Sequence, residues 1–455
     1  MEEIYNLMAE IIYYFFENIN SDFYQHYNNR TKKSIDNIKS SIAHEIPRLF
    51  CANGEGIAAL EAPESVLCGI NSVFLSCKGN KEFDKLLQLL IILDNSLEKQ
   101  MRWEYESRQG NCFEGCLNEN WKKYKIGLLP RCECCWERHH RGSQHYNRID
   151  NFIQNFLIID YRVWENWRIM HHFLPTSLMA KAEENKKLTV VISPYKTGDD
   201  FAVKKYISNE EQKFSVQYTG NAEADTDKVK RVIDLAAENR ASIVIFPEML
   251  GNATMEDAIS DYLMKPSRQE RGCSPDLILL PTIWSDHTNT ACLLDGTGAT
   301  ICRQCKQYPY MLPDGYEEDI VPDRVIHLIH GEGIGRIVIM ICRDFLTADY
   351  LSRVLTGLKT TLILIPSYST GDHDFEQIFG KLLSEDCCAI WTNACSVVKK
   401  QQREGKVGMV LQAGKVRVGI RERYKEFTCP GACEGQECTD PNIRICELYY
   451  DRDVS

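Results

Sequence analysis

Apolar residues recur at spacings of three and four through Met1–Glu17, Phe83–Leu97 and Ile149–Met170. That is the period of one buried helix face. Turn chemistry such as Cys51-Ala-Asn-Gly54 separates these stretches,. Beyond the polar stretch Ala180–Lys187 the pattern changes. Short apolar runs at Leu188–Ser193, Ser242–Phe246, Pro275–Pro281 and Thr290–Leu294 alternate with an amphipathic stretch over Asp225–Arg240. Strands and helices are therefore expected in alternation. Thr226 or Asp225 is placed to cap the helix by accepting from free N–H groups. Asp295-Gly296 and Thr297-Gly298 carry hairpin-turn chemistry before Ile301,. Gln377–Glu385 reads as a helix and Ala389–Thr392 as the strand after it. The pattern predicts two domains, a mainly helical one over 1–185 and an α/β one over 186–455, with Ala180–Lys187 as linker.

Three residues stand at the exits of apolar runs in the second domain. Glu248 follows Ser242–Phe246, Lys306 ends the hairpin-like ACLLDGTGATICRQC, and Cys342 follows Arg336–Ile341. A lone cysteine usually just packs. A cysteine at the C-terminal end of a buried strand, however, lies where an α/β sheet exposes its reactive edge. A thiol needs a base or a cation nearby to become a nucleophile. Glu248 can take its proton and later activate water. Lys306 can stabilise the oxyanion formed on attack at a carbonyl or nitrile carbon, and the Arg343 N–H can add a second donor.

With IVIFPEML around Glu248, GATICRQCK leading to Lys306 and IVIMICRDF around Cys342, the chain resembles the nitrilase, or carbon–nitrogen hydrolase, superfamily over roughly residues 186–455. The segments LTVVISP, DKVKRVIDLAAENR, LILIPSYS and AIWTNACSVV support the resemblance. It implies an αββα sandwich, with Glu248 as general base, Lys306 as oxyanion stabiliser and Cys342 as nucleophile. It also implies a further glutamate orienting the lysine, for which Glu318 or its neighbour Glu317 is the candidate, and association into a homo-oligomer. The chain departs from the family at Arg343, where an aromatic or acidic residue is usual, and at Asn393-Ala-Cys-Ser396, where many members have a glycine. The fold class expected is thus α/β, a nitrilase-like sandwich with a helical N-terminal domain. The chemistry expected is cleavage of a non-peptide C–N bond in a small amide, carbamoyl compound or nitrile, with no catalytic cofactor.

Composition adds a second theme. Twenty cysteines occur in 455 residues, and the acidic start MEEIYNLMAE does not read as a secretory signal. Reduced thiols and a cytoplasmic location are the expectation, without a membrane span. Cys112, Cys116, Cys132 and Cys135 have spacings that suit a structural zinc, with His139 and His140 close behind,. Trp121–Arg148 holds seven Lys or Arg against two Glu, interleaved with Trp121, Tyr124, Trp136 and Tyr146. That mixture suits a nucleic-acid or protein partner. A net charge of −11 argues against a chain that coats nucleic acid throughout,. A second class of function follows: a nucleic-acid- or protein-binding factor, such as a component of a bacterial defence assembly, that keeps the hydrolase-like domain as an oligomerisation scaffold.

Overall fold

The computed structural model describes residues 1–46, 64–137, 148–176, 187–195, 201–269, 274–382, 385–401, 404–413, 424–429 and 443–449. The expected linker (apart from Lys187), the Cys51–Gly54 turn, and His139, His140 and Tyr146 lie outside them. The chain forms two compact units, Met1–Cys132 with Arg138–Glu165, and Glu133–Glu137 with Asn166–Ser455.

The first unit is mainly helical. Helices span Glu2–Asn18, Ser21–Asn28, Lys32–Glu45, Glu64–Asn80, Phe83–Ser96 and Glu98–Arg108. Their apolar faces share one core that includes Ile4, Met8, Phe15, Ile70, Leu86, Leu90 and Leu93. Ile149–Met170 corrects the sequence expectation of a helix. It holds two short 3₁₀ turns, the strand Phe156–Asp160 and the start of the strand Arg168–Phe173. Phe156-Leu-Ile-Ile159 is a short, continuous apolar run, which periodicity alone cannot assign to helix or strand. It pairs antiparallel with Ile126–Pro130. Asp94 fixes its start by accepting from the backbone N–H groups of Gln154, Asn155 and Phe156 at 2.8, 2.9 and 3.1 Å.

The second unit begins earlier in the chain than the sequence suggests, because Arg168–Phe173 pairs parallel with Val325–Gly331. One sheet continues from these through Gly335–Ile339, Leu362–Ser367, Cys388–Asn393, Gly405–Leu411 and Tyr424–Cys429. The other runs Ile283–Ser285, Thr288–Asp295, Leu277–Leu279, Ile243–Ile245, Lys187–Ile192, Arg444–Tyr449, with Thr300–Cys305 also paired to Thr288–Asp295. The sheets face each other. A β-carbon on Gly408 in the first would stand 3.1 Å from Ile192 in the second. The Gln304 amide also spans them, donating to the Val325 carbonyl at 2.9 Å and accepting from His327 N–H at 3.0 Å.

Helices form the outer layers. Ala222–Glu238 and Met255–Leu263 bury Val229, Val232, Ile233, Met255 and Ile259 against Val191, Val244 and Ile278. His373–Leu382 packs Phe375 on Trp391, ring centroids 5.1 Å apart. The αββα arrangement is the one expected, with one local correction. The helix Ala222–Glu238 starts before Asp225 and is capped by Asn221, which accepts from Ala224 N–H at 3.1 Å. Asp225 instead accepts from the Tyr218 hydroxyl at 2.6 Å.

The parallel register of Arg168–Phe173 on Val325–Gly331 brings four histidines into two pairs. His171 Nδ1 is 3.1 Å from His330 Nε2, and His172 Nε2 is 2.8 Å from His327 Nδ1. Burial lowers His171 from 6.5 to about 3 and His172 to about 4, so both rings are neutral near pH 7. A depressed histidine contributes stability that is present above its ordinary pKa and lost as pH falls through its folded value. Thermal stability is therefore expected to fall between pH 6.5 and 4, and to fall less in His172→Gln. An unchanged pH slope in that variant, read by thermal unfolding, would refute the assignment.

Candidate active site

Proline ends the strand Ile243–Ile245, since Pro247 has no N–H for the ladder,. The chain then turns sharply, with Met249 at φ 65° and its N–H donating to Thr282 Oγ1 at 2.8 Å. Gly251 permits the close approach that follows, as a β-carbon there would sit 2.5 Å from the Pro281 carbonyl. These constraints aim Glu248 inward. Cys342 leaves the strand Gly335–Ile339 with φ 47° and ψ −99°, a conformation costly for any residue but glycine,. Its N–H donates to the Pro366 carbonyl at 2.9 Å.

Glu248, Lys306 and Glu318 meet in the interior. Lys306 Nζ lies 2.8 Å from Glu248 Oε1 and 2.6 Å from Glu318 Oε2, and all three side chains are at most 1% exposed. The structure thus selects Glu318 over Glu317, which pairs with Lys213 at the end of a hairpin. The Cys342 thiol lies near Glu248 and the Tyr368 N–H, close enough for both to act on its charge. That N–H also donates to Glu248 Oε2 at 3.0 Å.

Charge is balanced by contact rather than by water. Burial works against the Lys306 ammonium, but Glu248 and then Glu318 outweigh it and hold the pKa well above the usual lysine range. Burial raises Glu248, with Lys306 opposing. Burial and then the Glu248 charge push the Cys342 thiol up, while Lys306 pulls it back. The resting site therefore holds a neutral thiol near Glu248, which is itself in contact with the Lys306 ammonium.

Several supporting residues carry no motif signal. Asn289 donates to Glu248 Oε1 at 2.8 Å and to Glu318 Oε1 at 3.3 Å, and its own oxygen accepts from Thr282 at 2.7 Å. Asp344 accepts from the N–H groups of Gln307, Tyr308 and Ile341 at 3.0, 2.8 and 3.3 Å. It thereby ties the turn at Cys342 to the chain just after Lys306. Burial raises Asp344 to about 8, with Lys306 and these N–H groups opposing.

The strands Phe201–Ser208 and Glu211–Tyr218 form a hairpin absent from the sequence expectation, turning at Asn209 and Glu210 with φ 51° and 67°. Glu317–Glu318 adds to it as a parallel third strand, and Asp319 N–H donates to the Phe214 carbonyl at 2.8 Å. Tyr206 and His287 both hold the Asp319 carboxylate. The hairpin fixes the backbone from which Glu318 reaches Lys306.

The zinc expectation concerns four cysteines of the first ~135 residues. Among the described residues, no group of three or more His, Cys, Asp or Glu side chains is arranged to hold a metal ion. Of the four named cysteines, Cys112 is exposed, Cys132 is buried, and Cys116 hydrogen-bonds the Tyr161 hydroxyl at 3.4 Å. No described helix is long and apolar enough to cross a membrane.

The two-sheet sandwich and the buried glutamate–lysine–cysteine cluster make the second unit a nitrilase-like α/β domain. No protein-family model matches the chain, and no curated protein matches its sequence. Among solved structures it is similar to an amidase from Nesterenkonia sp., at 14% identity over 58% of this chain and 90% of that one, TM-score 0.38. A cysteine-to-alanine mutant of the Nesterenkonia AN1 amidase, described as from the nitrilase superfamily, matches at 15% identity with the same coverage and TM-score. Glutamine-dependent NAD+ synthetase from Acinetobacter baumannii matches at 12% identity over 59% of this chain and 46% of that one, TM-score 0.37.

Proposed function

We propose that the second unit is a thiol-dependent hydrolase of a non-peptide C–N bond in a small amide, carbamoyl compound or nitrile. The observation that carries this reading is Lys306 clamped between Glu248 and Glu318, with the Cys342 thiol in the field of Glu248 and Lys306. For an amide, Glu248 takes the thiol proton as sulfur attacks the carbonyl carbon. Charge moves to the carbonyl oxygen, where Lys306 and the Arg343 N–H are its donors. Neither that N–H nor the Arg343 side chain has another hydrogen-bond partner among the described residues. The tetrahedral intermediate collapses, the C–N bond breaks, and the leaving nitrogen takes the proton from Glu248. Water then gives a proton to Glu248 and attacks the thioester. The acid leaves, and the proton returns to Cys342.

The test uses iodoacetamide, with each thiol followed by peptide mass mapping. Cys342 should alkylate faster than the exposed Cys68 and Cys112, and Glu248→Gln should slow Cys342 alone, by about 100-fold or more,. The reading fails if Cys342 reacts no faster than those two thiols, or if Glu248→Gln leaves its rate unchanged.

A further inference from the structure

The buried cluster carries two carboxylates, Glu248 and Glu318, against the single ammonium of Lys306. As it stands, an anionic substrate approaching Cys342 meets net negative charge. The neighbouring charges are largely committed. Asp344 faces backbone N–H groups, and Asp349 is paired with Arg353 at 2.6 Å. Glu317 is held by Lys213, and Asp319 by Tyr206 and His287.

One cation differs from these. Arg343, directly after the nucleophile, is exposed, and its guanidinium has no ion pair or hydrogen bond among the described residues. The half-buried Tyr310, whose N–H donates to Glu318 Oε2 at 3.1 Å, lies in the field of Arg343 as well as of Cys342, Lys306 and Glu248. A second exposed cation stands close by. Lys400 Nζ is 3.2 Å from the hydroxyl of Tyr368, whose N–H serves both Glu248 and Cys342.

An unpaired guanidinium is a ready fork for a carboxylate, with planar donors that no lysine reproduces. We infer that Arg343 is a specificity-determining residue, and that the substrate bears a carboxylate or similar anion beyond the scissile C–N bond, which Arg343 pairs at the mouth of the site. The substrate class is thus an anionic amide, such as the monoamide of a dicarboxylic acid or an N-carbamoyl acid, rather than a neutral aliphatic amide. This rests on the hydrolase reading and narrows it.

The test compares iodoacetate with iodoacetamide on the full chain, two electrophiles alike except for the negative charge. In each case the thiol proton passes to base and iodide leaves. The acetate-to-acetamide rate ratio at Cys342 is read against the same ratio at Cys68 and Cys112 in the same sample. Wild type should exceed these references by about fivefold, the scale of one partly exposed ion pair. Arg343→Gln should bring the ratio down to the reference, Arg343→Glu below it, and Arg343→Lys should retain part of the preference. A wild-type ratio equal to that at Cys68, or one that Arg343→Gln leaves in place, overturns the inference while leaving the hydrolase reading intact. A Cys342 that reacts with neither electrophile brings down both.

Discussion

Lys306→Met should destabilise the second unit by roughly 3–5 kcal/mol, the cost of leaving buried charge without its partner. The variant would leave Glu248 and Glu318, each at most 1% exposed, facing each other without the ammonium. Asn289 offers each a neutral donor, but one amide cannot replace a cation. The triple variant Lys306→Met, Glu248→Gln, Glu318→Gln removes the charges together and should recover most of the loss, because the penalty belongs to the unpaired carboxylates. Urea unfolding of wild type, single and triple variants reads this directly. A single variant that costs no more than a surface substitution would mean that the cluster is not dry. Both variants should lack turnover whatever their stability, since each removes the oxyanion's cation.

Cys342→Gly is the second large effect, and it separates stability from activity. A residue held at φ 47° and ψ −99° stores about 1–3 kcal/mol of backbone strain, which glycine alone escapes,. Cys342→Gly should therefore be more stable than Cys342→Ala, and both should lose hydrolysis of any substrate that wild type turns over. Thermal unfolding and product release on the same samples check the two halves. Equal stability of the two variants would show that the turn is relaxed. The strain has a chemical purpose in this reading. It presents sulfur outward from a buried strand while the following N–H is left for an oxyanion.

The candidate site was only partly legible in the chain. Glu248, Lys306 and Cys342 were legible because each sits directly after an apolar run, and the end of a strand in an α/β sheet is a fixed place in space. Glu318 was legible only as one of two neighbours. On a strand, adjacent residues point to opposite sides, so choosing between Glu317 and Glu318 required the pairing of that strand with Glu211–Tyr218. The hairpin itself went unread because Asn209-Glu210 lacks the glycine that usually announces such a turn. Asn289, Asp344 and the Tyr368 N–H had no signal at all. Their role is to contact groups 36 to 120 positions away, which no local spacing encodes.

Other expectations failed for related reasons. Ile149–Met170 has helical spacing, yet it supplies strands, because partners at Ile126–Pro130 and Val325–Gly331 complete its hydrogen bonds. By itself, then, the sequence determined the alternation of elements in the second unit and the three strand ends from which Glu248, Lys306 and Cys342 project. Apolar period and turn chemistry act over a few residues, and they are enough for that. Tertiary structure alone decided which glutamate meets the lysine, what keeps their charges paired away from water, and that Arg343 has no ion pair among the described residues. Those depend on register and burial, which exist only once distant strands have paired.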